Sequence, residues 1–164
     1  MKRSRSVMWA CCLMGLLLAG VSAFGDQPAR SFVRITPEQA HWVEQPGGLG
    51  VKIAVLEGDP AKPGYYATLV NFPPGVMSRP HYHPEERYCV VIRGTWYTAT
   101  NDEFTPEKAI PLKPGSYMRH PAGGHHYDGA REEEVIVEIS GYGPSKNTLI
   151  NPREGLFGRS MPKK

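Results

Sequence analysis

Sixteen prolines and eighteen glycines interrupt this chain of 164 residues every few positions, and no long stretch between them carries helical periodicity. A chain punctuated in this way builds its core from short strands joined by turns. Alternation marks several of them. Val51, Ile53 and Val55 put apolar side chains on one face, and so do Val135, Val137 and Ile139 between Glu134 and Glu138. Tyr65 to Phe72, Arg87 to Ile92 and Thr95 to Thr100 read as further strands, the last two meeting at Gly94. Leu112, Ser116 to His120 and His125 to Tyr127 are shorter pieces. Thr36 to Trp42 is expected to form one helical turn, with Thr36 as cap and Pro37 at its first position. Eight or more short strands without an internal repeat give an all-β sandwich or barrel.

The N-terminus does not belong to that barrel. Lys2, Arg3 and Arg5 precede an apolar run from Val7 to Val21, and Ser22 and Ala23 follow it. Basic start, short apolar run and small-residue site together form the pattern of a cleavable secretory signal peptide, residues 1–23. The mature protein is then expected to be periplasmic or secreted, with no membrane attachment after cleavage. Without Lys2, Arg3 and Arg5 the nineteen basic residues fall to sixteen, equal to the sixteen acidic ones. No basic stripe remains to suggest nucleic acid as a partner. Cys11 and Cys12 leave with the signal, so Cys89 cannot form a disulfide within its own chain. The expected organisation is a lead-in over 24–45, a barrel over 46–150 and a tail over 151–164.

The chemistry concentrates in histidines. His81 and His83 stand two apart, which on a strand presents both imidazoles on one face. Imidazole suits iron, copper, nickel and zinc better than magnesium or calcium. A third donor is needed, and the segment Gly115 to His126 offers one after a turn fixed by Pro121 and Gly123. On a regular strand His125 and His126 face opposite sides. His125 and His120 read as surface or supporting residues, and His41 as unrelated. Cys89 reads first as a small buried hydrophobe. Trp96, Tyr117 and Tyr127 are candidates to line a pocket or to fill the core, with Tyr97 a rival to Trp96.

These segments resemble the paired motifs of the cupin superfamily. Gly75, five residues, His81-Tyr82-His83, three residues, position 87, six residues and Gly94 reproduce the spacing of the first motif. Gly115, Pro121, Gly123 and His126 reproduce the second, with Ala130 in the place of its final asparagine. The likeness runs over about residues 65 to 142. Segments such as Gly94-Thr95-Trp96 and Gly141-Tyr142-Gly143-Pro144 are similar to those of small single-domain secreted bacterial cupins of unassigned reaction. The resemblance implies a double-stranded β-helix, or jelly-roll barrel, a homodimer, and a metal held by His81, His83 and His126, the last being the inward histidine of its pair.

The chain departs from the family at position 87, where Arg87 occupies the slot of the carboxylate ligand. A guanidinium has no lone pair for a metal and repels a nearby cation. Three arrangements follow. The metal is held by three histidines alone; Glu85 or Glu86 swings in as a substitute; or the metal is lost and Arg87 binds a carboxylate or phosphate in a two-pronged grip. An ion pair from Arg87 to Glu85 or Glu86 is compatible with each. The first function expected is a metal-dependent oxygenase or related oxidoreductase acting on a small organic molecule. It would use iron first, with nickel, copper, manganese or zinc as alternatives, and Arg87 as the catalytic group that orients an acidic substrate. The second is a metal-free module that binds or senses a small anion through Arg87. A third is an envelope protein whose barrel serves assembly.

Overall fold

The computed structural model describes residues 31–36 and 38–161, so the expected signal peptide and Pro37 lie outside the described residues. Arg34–Lys164 group into one unit; of the other, Met1–Val33, only Ser31 to Val33 are described, in no regular element. At Thr36 the carbonyl accepts the Gln39 and Ala40 N–H groups (3.0 and 3.1 Å), so a single turn forms there and ends short of Trp42.

Among the described residues thirteen strands follow in chain order: β1 Val43–Glu44, β2 Lys52–Glu57, β3 Gly64–Phe72, β4 Val76–Ser78, β5 His81–Tyr82, β6 Arg87–Arg93 and β7 Trp96–Ala99. After a 3-10 turn at Pro106–Lys108 come β8 Ile110–Leu112, β9 Tyr117–His120, β10 Tyr127–Gly129, β11 Val135–Gly143, β12 Thr148–Leu149 and β13 Phe157–Arg159. One sheet runs β1-β2-β3-β11-β6-β9 and the other β13-β4-β10-β7-β8, with β12 and β5 paired on their own. All pairings are antiparallel, as expected for a jelly roll. The sheets take in β1 from the expected lead-in and β13 from the expected tail.

The core lies between the two sheets. Val70, Phe72, Val91, Val135, Val137 and Ile139 of the larger sheet pack with Val76, Trp96 and Ala130 opposite. The alternation of β11 therefore does what its sequence requires, but its outward Ile136 is buried as well. Ile136 joins Ala54 and Leu69 beneath Ala40, Trp42 and Leu56, because the segment before β1 covers that part of the outer face. The expected apolar face holds for Val51, just before β2, and for Ile53 within it, which pack in the core, but Val55 is 47% exposed, and Ala54 on the other face is fully buried under that cover.

Gly94 sets the sharp reversal from β6 to β7. Its φ is +75°, and a Cβ there would lie 2.1 Å from the Glu134 carbonyl oxygen. Only a residue without a side chain admits both the conformation and the approach.

Candidate metal centre

Each histidine reaches the barrel interior by a different device. His81 in β5 and His126, just before β10, form an isolated antiparallel bridge in which each N–H donates to the other's carbonyl at 2.9 Å. This bridge brings their rings to 4.4 Å between centroids. His83 follows β5, and its carbonyl accepts the Gly123 N–H at 2.8 Å. The Pro121–Gly124 turn is thereby tied to the His-x-His segment, which is what its proline and positive-φ Gly123 serve. The His83 ring lies 4.7 Å from that of His81 and 4.9 Å from that of His126.

The three rings share one further property. Nδ1 of His81 faces the Arg79 carbonyl at 2.7 Å, that of His83 the Lys146 carbonyl at 3.0 Å, and that of His126 the Gly124 carbonyl at 2.9 Å. A carbonyl only accepts, so each Nδ1 carries the proton and each Nε2 keeps its lone pair. Fixing the ring in this way is how proteins orient imidazole ligands toward a metal. Burial disfavours the imidazolium form throughout, bringing His81 down to about 3 and His126 to about 4, and His83 well below its usual range with the Arg87 charge adding to the effect. The donor atoms of His81, His83 and His126 lie within 4.8 Å of one another. Three neutral imidazoles with converging lone pairs suit a divalent transition-metal ion.

Two further residues join the cluster. His120, read from the sequence as a surface or supporting residue, is 2% exposed, and its ring stands 3.8 Å from that of His126. It ends β9 opposite Arg87 of β6. On β9, Met118 and His120 share the inward face, while Tyr117 and Arg119 point outward. Tyr117, expected as a pocket residue, is accordingly 59% exposed. Asp128 stands two residues after His126 and thus on the same face, with Oδ2 3.8 Å from the His126 Nε2. Burial raises its carboxyl to about 7, against the opposing effects of the Trp96 side chain and the Arg87 charge. Sequence reading assigns Asp128 no role in the site.

The other expectations divide. Trp96 is buried in the core, Tyr127 is buried with Met77, Ala99 and Ala109, and Tyr97 is half-buried against that group. Cys89 is a fully buried core residue whose Sγ lies 4.0 Å from the His120 Nδ1, and burial holds its thiol protonated. His125 pairs with Asp102 at the surface (2.7 Å), and His41 is exposed. Glu86 pairs outside with Arg119 (3.4 Å). Glu85 does not turn inward as a substitute ligand, because its Oε1 holds the Arg87 Nε at 2.8 Å. Arg87 also donates to the Ser145 hydroxyl, and Tyr66 donates to Glu85 (3.3 Å). Arg87 lines a cavity of about 240 Å³ with Ile53, Tyr66, Val70, Ile139 and Asn147. A smaller void of about 70 Å³, sharing that Arg87 wall, touches His81, His83, His120 and Asp128.

Comparison with known proteins gives the same architecture. The polyketide cyclase RemF from Streptomyces resistomycificus is similar with a TM-score of 0.57 at 17% identity, over 74% of this chain and 89% of its own. KdgF from Halomonas sp. is similar at 0.53 and 17%, over 70% and 94% respectively. The DMSP lyase DddQ from Ruegeria pomeroyi gives 0.56 and 19%, over 71% and 64%. At these identities the likeness shows the fold. No curated protein is similar enough to the chain to count as a match. The ChrR cupin-like domain model, however, matches residues 30–145, which take in both histidine motifs and most of the strands. The chain therefore belongs to the ChrR cupin-like family, and is a cupin.

Proposed function

We propose that the protein is a metal-dependent cupin enzyme, an oxygenase or related oxidoreductase, exported to the periplasm or beyond and acting on a small acidic organic molecule. One observation carries this reading: each Nδ1 of His81, His83 and His126 meets a backbone carbonyl, leaving each Nε2 free, and the three donor atoms lie within 4.8 Å of one another. A redox-active ion held there, iron first among the candidates, would supply Lewis acidity and electron-transfer chemistry. The chain's own residues do the rest. Ile53, Val70 and Ile139 give the neighbouring cavity an apolar wall that excludes water. Arg87, steadied by Glu85 and Ser145, presents a guanidinium to the same space and orients a substrate carboxylate. RemF and DddQ are, by their names, a cyclase and a lyase, so related barrels host small-molecule chemistry in those proteins. The fold's habit of pairing through its sheets extends the proposal to a homodimer.

The metal-free reading, in which Arg87 captures a free anion, is weaker. It gives the three carbonyl-oriented imidazoles of His81, His83 and His126 no role. The test is turnover of a panel of small carboxylic acids, followed by oxygen consumption and product analysis, with the protein iron-loaded and metal-free. Turnover that needs the metal and disappears in His81→Ala is expected. Turnover that survives metal removal contradicts the proposal.

A further inference from the structure

We propose that His120, His126 and Asp128 form a second seat for a divalent transition-metal ion, next to the His81–His83–His126 seat and mutually exclusive with it. The inference rests on reading the latter as a metal centre. Its geometry stands on its own: the donor atoms of His120, His126 and Asp128 also lie within 4.8 Å of one another, and all three residues are buried. The Nε2 atoms of His120 and His126 are both buried without a hydrogen-bond partner. Two such orphaned nitrogens side by side cost free energy unless something binds them.

The surroundings aim all three side chains inward. Cys89 stands at the His120 Nδ1, 4.0 Å away, so the Nε2 is the ring atom that faces the cluster. The Ser78 hydroxyl donates to the Asp128 carbonyl (3.1 Å) and accepts the Asp128 N–H (2.9 Å), fixing the main chain that carries the carboxyl group. The void of about 70 Å³ touches His120 and Asp128 as well as His81 and His83.

Charge gives the second seat its chemical sense. Three neutral imidazoles next to Arg87 leave a divalent cation without an anionic ligand. Two imidazoles and a carboxylate supply one, and are the donor composition of mononuclear non-haem iron sites. The two seats exclude each other because His126 offers a single free lone pair, its Nδ1 being committed to the Gly124 carbonyl. One ion therefore has two stations, and His126 belongs to both.

Cobalt(II) is the probe, followed by its visible absorption and by competition with a chelator. The protein should bind one equivalent, not two. H81Q/H83Q, checked for folding by near-ultraviolet circular dichroism, should still bind one equivalent with an altered spectrum. Adding D128N to it should weaken binding by at least about tenfold, since even residues that only hydrogen-bond to a ligand are worth about 10- to 100-fold. A folded H81Q/H83Q protein that binds no cobalt overturns the second seat. The converse control, D128N with His120→Gln, keeps one equivalent if the first seat stands, so failure of either seat is told from failure of the other. Proton NMR of the cobalt-loaded, unsubstituted protein covers the case in which the variants do not fold. Strongly shifted signals from the Asp128 β-protons and the His120 ring are expected, and shifted signals confined to His81, His83 and His126 overturn the proposal.

Discussion

The change from carboxylate to arginine at position 87 matters less for what it adds than for what it commits. Arg87 and Glu85 are both largely buried, with side chains 13% and 10% exposed, and each is the other's ionic partner. Burial works against the Glu85 carboxylate, yet the Arg87 hydrogen bond and charge hold it below the usual range. Removing one member leaves the other charged and partly desolvated. Arg87→Met is expected to cost about 3 kcal/mol of stability, whereas Arg87→Met combined with Glu85→Gln should recover much of it. Urea unfolding of the three variants measures this, and a double variant no better than the single one contradicts the pairing. At this scale the sequence displayed His81, His83 and His126 through their spacing and named an Arg87 ion pair as an option. It did not display His120 or Asp128, because their inward facing depends on the phase of two very short strands, β9 and β10, which only their packing partners fix.

At the scale of the elements, the motif glycines do different work. Gly94 and Gly115 both hold positive φ, +75° and +85°. A Cβ on Gly115 would meet nothing within 4 Å, whereas one on Gly94 would collide with the backbone of Glu134. Gly115→Ala should therefore cost about 1 to 2 kcal/mol, the conformational penalty alone. Gly94→Ala should cost at least about 2 kcal/mol more, since strand β11 must shift to admit the methyl group. Equal thermal shifts for the two would contradict this account of the β6–β7 turn. Strand alternation was legible for β11, whose nine-residue run is long enough to state a period. Around β2 it held at Val51 and Ile53 but missed the burial of Ala54 and the exposure of Val55, because the cover over the outer face comes from residues far less patterned than the strands.

For the molecule as a whole, four imidazoles held neutral in the interior set the response to acid. Burial lowers the folded pKa of His81, His83, His120 and His126, His120 reaching about 2. The unfolded chain takes up these protons below about 6.5 and the fold does not, so stability is lost as pH falls. Asp128 acts oppositely. Its folded value of about 7 lies above the unfolded one, so its contribution is full at low pH and lost as pH rises. Four histidines outweigh one aspartate by about three protons, a slope of roughly 4 kcal/mol per pH unit near pH 5. The urea midpoint of the metal-free protein should fall steeply from pH 6.5 to 4.5, and a midpoint that stays level would contradict it.

The central proposal is that the buried imidazoles of His81, His83 and His126 hold a cation. Elemental analysis of the mature protein, purified without chelating tags or resins, tests that most directly beside His81→Ala/His126→Ala. Near one equivalent of a transition metal in the protein, absent from the folded variant, is the predicted result. A folded protein that takes up no metal, even after reconstitution with iron, nickel, copper, manganese or zinc, would contradict it.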